Sequence, residues 1–160
     1  MIKLLQFALG LICLANIVQA QEDAPVKTPA SYEVFYKFAN KINHQAHTLS
    51  IDKFKSLTKD PKVIVADLRS KESYDYQHIK GAKHLGSDIS IEALEKIAPS
   101  KDTVIIFYCT NSLMPTRMVS QTHMALPQAL YLGYKNIYVL QDAAESDVSG
   151  RIPMEATAVK

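Results

Sequence analysis

Cys109 stands between two unlike neighbourhoods. Before it runs Val104-Ile105-Ile106-Phe107-Tyr108, apolar, β-branched and aromatic; after it come Thr110-Asn111-Ser112, then Leu113-Met114-Pro115 and an arginine at 117. A thiol is a nucleophile only as its thiolate, and a tight polar loop or a helix start supplies the N–H groups that favour an anion. The apolar run reads as a strand buried on both faces. Pro115 suits the first turn of a helix, where its missing N–H costs nothing. Together these place the thiol at the C-terminal end of a buried strand, ahead of a helix, where open α/β sheets bind ligands. Its chemistry there would be that of an activated thiolate. The other reading is a small buried cysteine that only packs.

Arg117 is the fixed cation nearest in sequence and is the candidate for meeting an anionic substrate; the other reading is a surface arginine. Thr110, Asn111, Ser112, Leu113 and Met114 complete the candidate substrate-binding loop, the first three being short polar residues suited to a tight turn. The spacing of His44 and His47 suits metal ligands only by accident. No metal and no cofactor are expected.

The opening residues set a context for this thiol. Lys3, the mostly apolar stretch 4–18 and Val18-Gln19-Ala20 read as a secretory signal peptide with a small-x-small cleavage site. The stretch is short for a membrane span, which needs about 20 apolar residues. Cys13 would leave with it. Export to a periplasmic or extracellular space is therefore expected, with no stable membrane anchor after cleavage. Cys109 would then be the single cysteine in an oxidising compartment, hence buried, paired between chains or reactive. Loss of Lys3 takes the formal charge from +2 to +1, which makes no case for nucleic acid as a partner.

The elements that must position Cys109 follow from periodicity. Residues 21–30, with Pro25 and Pro29, form a lead without pattern. From Ser31, a plausible N-cap, Tyr32, Phe35, Phe38, Ala39 and Ile42 share a helical face. Residues 47–49 suit a short edge strand, and Ser50 or Asp52 caps a brief helix holding Phe54 and Leu57. Residues 62–67 form a second buried strand, 71–77 a short helix, 82–85 a third strand candidate and 91–98 a helix stopped by Pro99. Beyond the cysteine loop the spacing predicts a helix over 116–125, a break at Pro127, and a further helical stretch to Gly133. Residues 137–140 form the last buried strand. Strands alternating with helices imply a parallel sheet covered on both faces. The expected organisation is a signal peptide at 1–20, a lead and helix at 21–46 and one α/β domain at 47–160.

Four stretches in this order resemble the rhodanese-like domain family. Val65-Ala66-Asp67-Leu68-Arg69 is similar to that family's apolar strand ending in Asp-x-Arg, with Tyr74 following at the family's spacing. His78-Ile79-Lys80-Gly81-Ala82 resembles its His-Ile-x-Gly-Ala, and Tyr108-Cys109 stands where the family has its catalytic cysteine. Gly133-Tyr134-Lys135-Asn136-Ile137-Tyr138-Val139-Leu140 is similar to Gly-Tyr-x-Asn-Val-x-x-Leu. The resemblance covers roughly residues 47–153. It implies a mostly parallel five-stranded sheet with helices on both faces, and sulfurtransferase activity. In that activity Cys109 takes a sulfane sulfur from a donor such as thiosulfate, holds it as a persulfide and passes it to a thiol or cyanide acceptor. Asp67, Arg69 and His78 would serve structure.

The sequence departs from the family at the cysteine loop. Seven residues separate Cys109 from Arg117, more than in most active members, and the usual loop glycine is absent. Gln141-Asp142-Ala143 replaces a Gly-Gly pair. Two other readings stay open: a non-catalytic rhodanese-like module that binds a partner or senses redox state, and a phosphatase or arsenate-reductase-like enzyme, whose cysteine–arginine spacing is shorter than the one found here.

Overall fold

A computed structural model describes residues 32–143 and 149–157. The expected signal peptide, the lead that follows it and the cap at Ser31 lie outside the described residues. The apolar run before Cys109 forms β5 (Val104–Tyr108), the central strand of a five-stranded sheet. On one side it pairs with β2 (Ile64–Asp67), which in turn pairs with β4 (Lys83–His84). On the other side it pairs with β6 (Asn136–Leu140), which holds the edge strand β1 (Thr48–Leu49). Every pairing in this sheet is parallel, as continuous apolar strands separated by helices require. Asp67 lies level with Tyr108 across β2 and β5. A separate antiparallel ribbon joins β3 (His78–Ile79) to β7 (Met154–Glu155).

Side chains alternate across β5, so the sheet has two cores. On one face Ile105, Phe107 and Cys109 pack with Leu94 of α5 (Ile91–Ile97) and with Ala125, Leu126 and Ala129 of α7 (Gln121–Tyr131). On the other, Ile106 and Tyr108 pack with Phe54 of α3 (Ile51–Leu57), with Ile79, and with Leu113 of α6 (Thr110–Leu113). Helices on both faces of a parallel sheet are the architecture that the sequence implies. The N-terminal helix α1 (Tyr32–Ala39) sets Phe35 and Phe38 edge-on against Tyr131, at 5.6 and 5.2 Å between ring centres. Its Tyr32 is exposed and stacks on Tyr36, so the aromatic stripe is only partly inward. One turn, α2 (His44–His47), was not expected from the sequence; Asn43 caps it.

Two prolines act differently from the expectation. Pro115 does not open a helix. The helix begins at once after Cys109, as α6, and Met114 ends it with an extended backbone, φ −145° and ψ 151°. A residue before proline is pushed out of the α region, so Pro115 terminates the helix behind it. Residues 115–120 are non-helical, and α7 starts only at Gln121. Pro127 does not break α7. An interior proline forfeits one hydrogen bond and costs about 3 kcal/mol. Burial of Thr122, Ala125, Leu126, Pro127 and Ala129 against the sheet outweighs that loss. The helix then closes through Gly133, whose φ of +89° suits glycine alone. Gly133 N–H donates to the Leu130 carbonyl and Tyr134 N–H to that of Ala129, a Schellman closure.

Candidate active site around Cys109

Cys109 leaves the sheet at the C-terminal end of β5 and serves as the N-cap of α6. It is 1 % exposed. Its N–H donates to Ser112 Oγ at 3.4 Å, and Ser112 Oγ in turn donates to the Leu140 carbonyl at 3.0 Å, which ties the thiol's backbone to β6. The first N–H groups of a helix have no intrahelical acceptor. Those of Thr110 and Asn111 have no partner among the described residues. The side chain of Asn111 closes the following loop by donating to the Met118 carbonyl at 2.8 Å, and the main-chain carbonyl of Asn111 accepts from Ala143 N–H at 2.7 Å.

The thiol itself touches a group of hydroxyls. Cys109 Sγ lies 3.4 Å from Ser120 Oγ, which lies 2.8 Å from Thr122 Oγ1 and 3.0 Å from Asp142 Oδ1. Ser120 and Thr122 are buried, whereas Asp142 is exposed. Neither Ser120 nor Asp142 was singled out from the sequence. A serine ahead of an apolar-periodic stretch is a cap signal, but nothing local joins it to a carboxylate twenty-two positions away.

A cleft of about 180 Å³ opens beside this group, lined by Arg69, Ser70, Ser73, Thr110, Asn111, Met118, Val119 and Gln121. A larger one of about 570 Å³ lies against α3, the start of β2 and β3. That one borders Phe54, Val65 and Ile79, hence the face of the sheet away from Cys109. The smaller cleft is the relevant one, since it alone includes the two residues that follow the thiol.

Of the loop residues singled out from the sequence, Thr110 and Asn111 line this cleft. Ser112 is buried and engaged in holding Cys109. Leu113 points into the core on the other face. Met114 is 47 % exposed, and Arg117 is exposed in the non-helical loop. The cation that does line the cleft is Arg69. Its Nε and Nη2 are engaged by Asp67, and Nη2 also reaches the Gln77 carbonyl at 2.6 Å; Nη1 has no hydrogen bond among the described residues. Burial draws the Arg69 guanidinium down, but its bonds to Asp67 outweigh this and hold it above its ordinary value. Its charge is therefore permanent.

Asp67 also receives the Tyr108 hydroxyl, which accepts from Ile79 N–H at 3.1 Å. Burial and the Asp67 charge push the Tyr108 phenol up, so it stays a donor. His78 sits in the adjoining turn, with Nδ1 bonded to the Tyr74 carbonyl at 2.7 Å and its ring stacked on Tyr74 at 3.8 Å. Among the described residues no three metal-ligating side chains come together, and no helix is long and apolar enough to cross a membrane.

Several solved structures share this fold. The Alr3790 protein from Anabaena sp. superposes with a TM-score of 0.56 at 18 % identity, over 69 % of this chain and 94 % of that one. The BH2092 protein from Bacillus halodurans gives 0.53 at 21 %, over 78 % and 85 %. A cysteine-persulfide form of EanB, in a tetrahedral intermediate state with ergothioneine, gives 0.53 at 22 %, over 68 % of this chain and 28 % of that one. These likenesses concern the fold. No curated protein matches the chain by sequence. Residues 50–146 match the family model of the rhodanese-like domain, and with most of its length so matched the chain belongs to the rhodanese-like domain family.

Proposed function

We propose that the protein is a sulfurtransferase that carries a sulfane sulfur on Cys109. The observation that carries this reading is the place of Cys109 at the end of β5, directly before Thr110 and Asn111, which line a cleft together with Arg69. A thiolate there attacks the outer sulfur of a donor such as thiosulfate. The sulfur–sulfur bond of the donor breaks, sulfite leaves with the bonding pair, and a cysteine persulfide remains. The terminal sulfur bears the negative charge, which N–H donors and a nearby guanidinium stabilise without any proton transfer. An acceptor thiolate or cyanide then takes that sulfur and returns Cys109 as thiolate. Arg69, rather than the exposed Arg117, meets the donor's anionic end. The persulfide form of EanB, on a similar fold, supports this chemistry by analogy.

A second reading, a rhodanese-like module that binds a partner without turnover, draws on the near-complete burial of Cys109. One experiment separates them. Intact-mass spectrometry after incubation with thiosulfate should show a gain of one sulfur, roughly 32 Da, through the persulfide step. The gain should vanish on reduction and be absent in Cys109→Ser. Failure of every sulfane donor to add sulfur to the folded protein would replace the catalytic reading with the second one.

A further inference from the structure

Ser120 is the N-cap of α7, yet its hydroxyl caps nothing. At the other serine-capped helices the hydroxyl accepts an N–H of the first turn: Ser50 from Lys53, Ser70 from Ser73 and Ser90 from Ala93. Ser120 Oγ has given up that role for three polar neighbours, Cys109 Sγ, Thr122 Oγ1 and Asp142 Oδ1. A serine hydroxyl has one proton to give and two lone pairs to receive, so three partners saturate it. A carboxylate only accepts, and Asp142 therefore claims the proton. Thr122 must then donate to Ser120, and Cys109 can take part only as an S–H donor. On that assignment Cys109 donates its S–H to Ser120 Oγ.

Ionisation of Cys109 reverses the order. The thiol proton departs to solvent, the Ser120 O–H turns from Asp142 to the sulfur, and the exposed carboxylate is left to water. We propose that Ser120 is a two-position donor that sets the charge state of Cys109, with Asp142 as a positioning residue that competes with sulfur for its proton. The proposal rests on the reading of Cys109 as the reacting thiol. It makes the site self-restraining: the nucleophile is held as thiol until that one hydrogen bond turns. The other charged groups nearby are differently engaged. On β2, Asp67 is bound by Arg69 and Tyr108; on α7, His123 meets the His44 ring; from α5, Glu95 faces Lys101; Arg117 lies in the exposed loop.

The test is a pH titration of thiolate ultraviolet absorbance in the full chain, with Cys109→Ser as blank. Asp142→Asn replaces the charged competitor by a weaker, neutral acceptor and should lower the midpoint by about one pH unit, a tenfold rise in thiolate at fixed pH. Ser120→Ala removes the donor and should raise the midpoint by a similar amount. The double variant should follow Ser120→Ala, because Asp142 acts through the hydroxyl. Shifts of the same sign, or an unmoved midpoint in Asp142→Asn, would overturn the proposal. Asp142 is exposed, so its variant carries the test even if loss of the buried hydroxyl unfolds the chain. The readout needs no sulfur donor: a chain that shows the opposed shifts yet takes up no sulfur keeps this inference and loses sulfurtransfer.

Discussion

Replacing Tyr108 by phenylalanine should separate the stability of this fold from its chemistry. The phenol hydroxyl is fully buried and has two partners, donating to Asp67 and accepting from Ile79 N–H. Phenylalanine keeps the ring and its packing among Phe54, Ile79 and Ile106. What is lost is a hydrogen bond to a charged group, typically about 1.5–3 kcal/mol, and the Ile79 N–H is left buried without an acceptor, about 1–3 kcal/mol more. Arg69 still holds Asp67 by three bonds, so the carboxylate is not stranded. A net loss of about 3 kcal/mol follows, or roughly 10 °C in Tm for a chain of this size. Urea denaturation should show the midpoint falling at constant slope. Sulfur loading of the folded variant should be unchanged, because Tyr108 faces the core opposite to Cys109. A loss below about 1 kcal/mol would show that the phenol bonds contribute little net. Impaired loading at full stability would refute the separation of the two faces.

Three further expectations are simpler. Gly133→Ala should cost about 1–2 kcal/mol in chemical denaturation, since φ is +89° and nothing stands within 4 Å of an added Cβ, leaving backbone conformation as the whole cost; an unchanged midpoint would contradict this. Burial, followed by His123 and His47, lowers His44 below its ordinary 6.5, so the unfolded chain binds more protons and this contribution is lost as pH falls through and below that value. Thermal melts should therefore lose stability on acidification, and less steeply in His123→Gln; identical slopes would remove the histidine pair as the cause. We also propose that the chain is exported: N-terminal sequencing of the exported protein should begin at Gln21, and a retained Met1 would refute cleavage.

The position of the thiol was legible because it depends on local pattern alone: a buried run, an abrupt change to short polar residues, and a proline. The role of that proline was not. Local sequence at a helix start and just past a helix end can look alike, and only the extended backbone of Met114 distinguishes them. Pro127 illustrates tertiary override, since its cost is set against apolar burial that no helical propensity contains. Arg117 drew attention through nearness in sequence, whereas Arg69 reaches the cleft because β2 lies beside β5. Ser120 and Asp142 meet for the same kind of reason, the docking of α7 beside the end of β6. β7 exists only because β3 pairs with it, and two residues carry no period of their own.

The strand order also fixes a sequence of events during folding. β2, β5 and β6 can assemble from segments that follow one another along the chain, but Thr48 pairs with Val139 and Leu49 with Leu140. A chain made or threaded from its N-terminus thus carries β1 unpaired until nearly the whole domain has emerged. Contacts this distant are slow to form, and an unpaired strand edge is a template for pairing with another chain. A first strand of two residues, one of them exposed, offers little to such a neighbour while it waits.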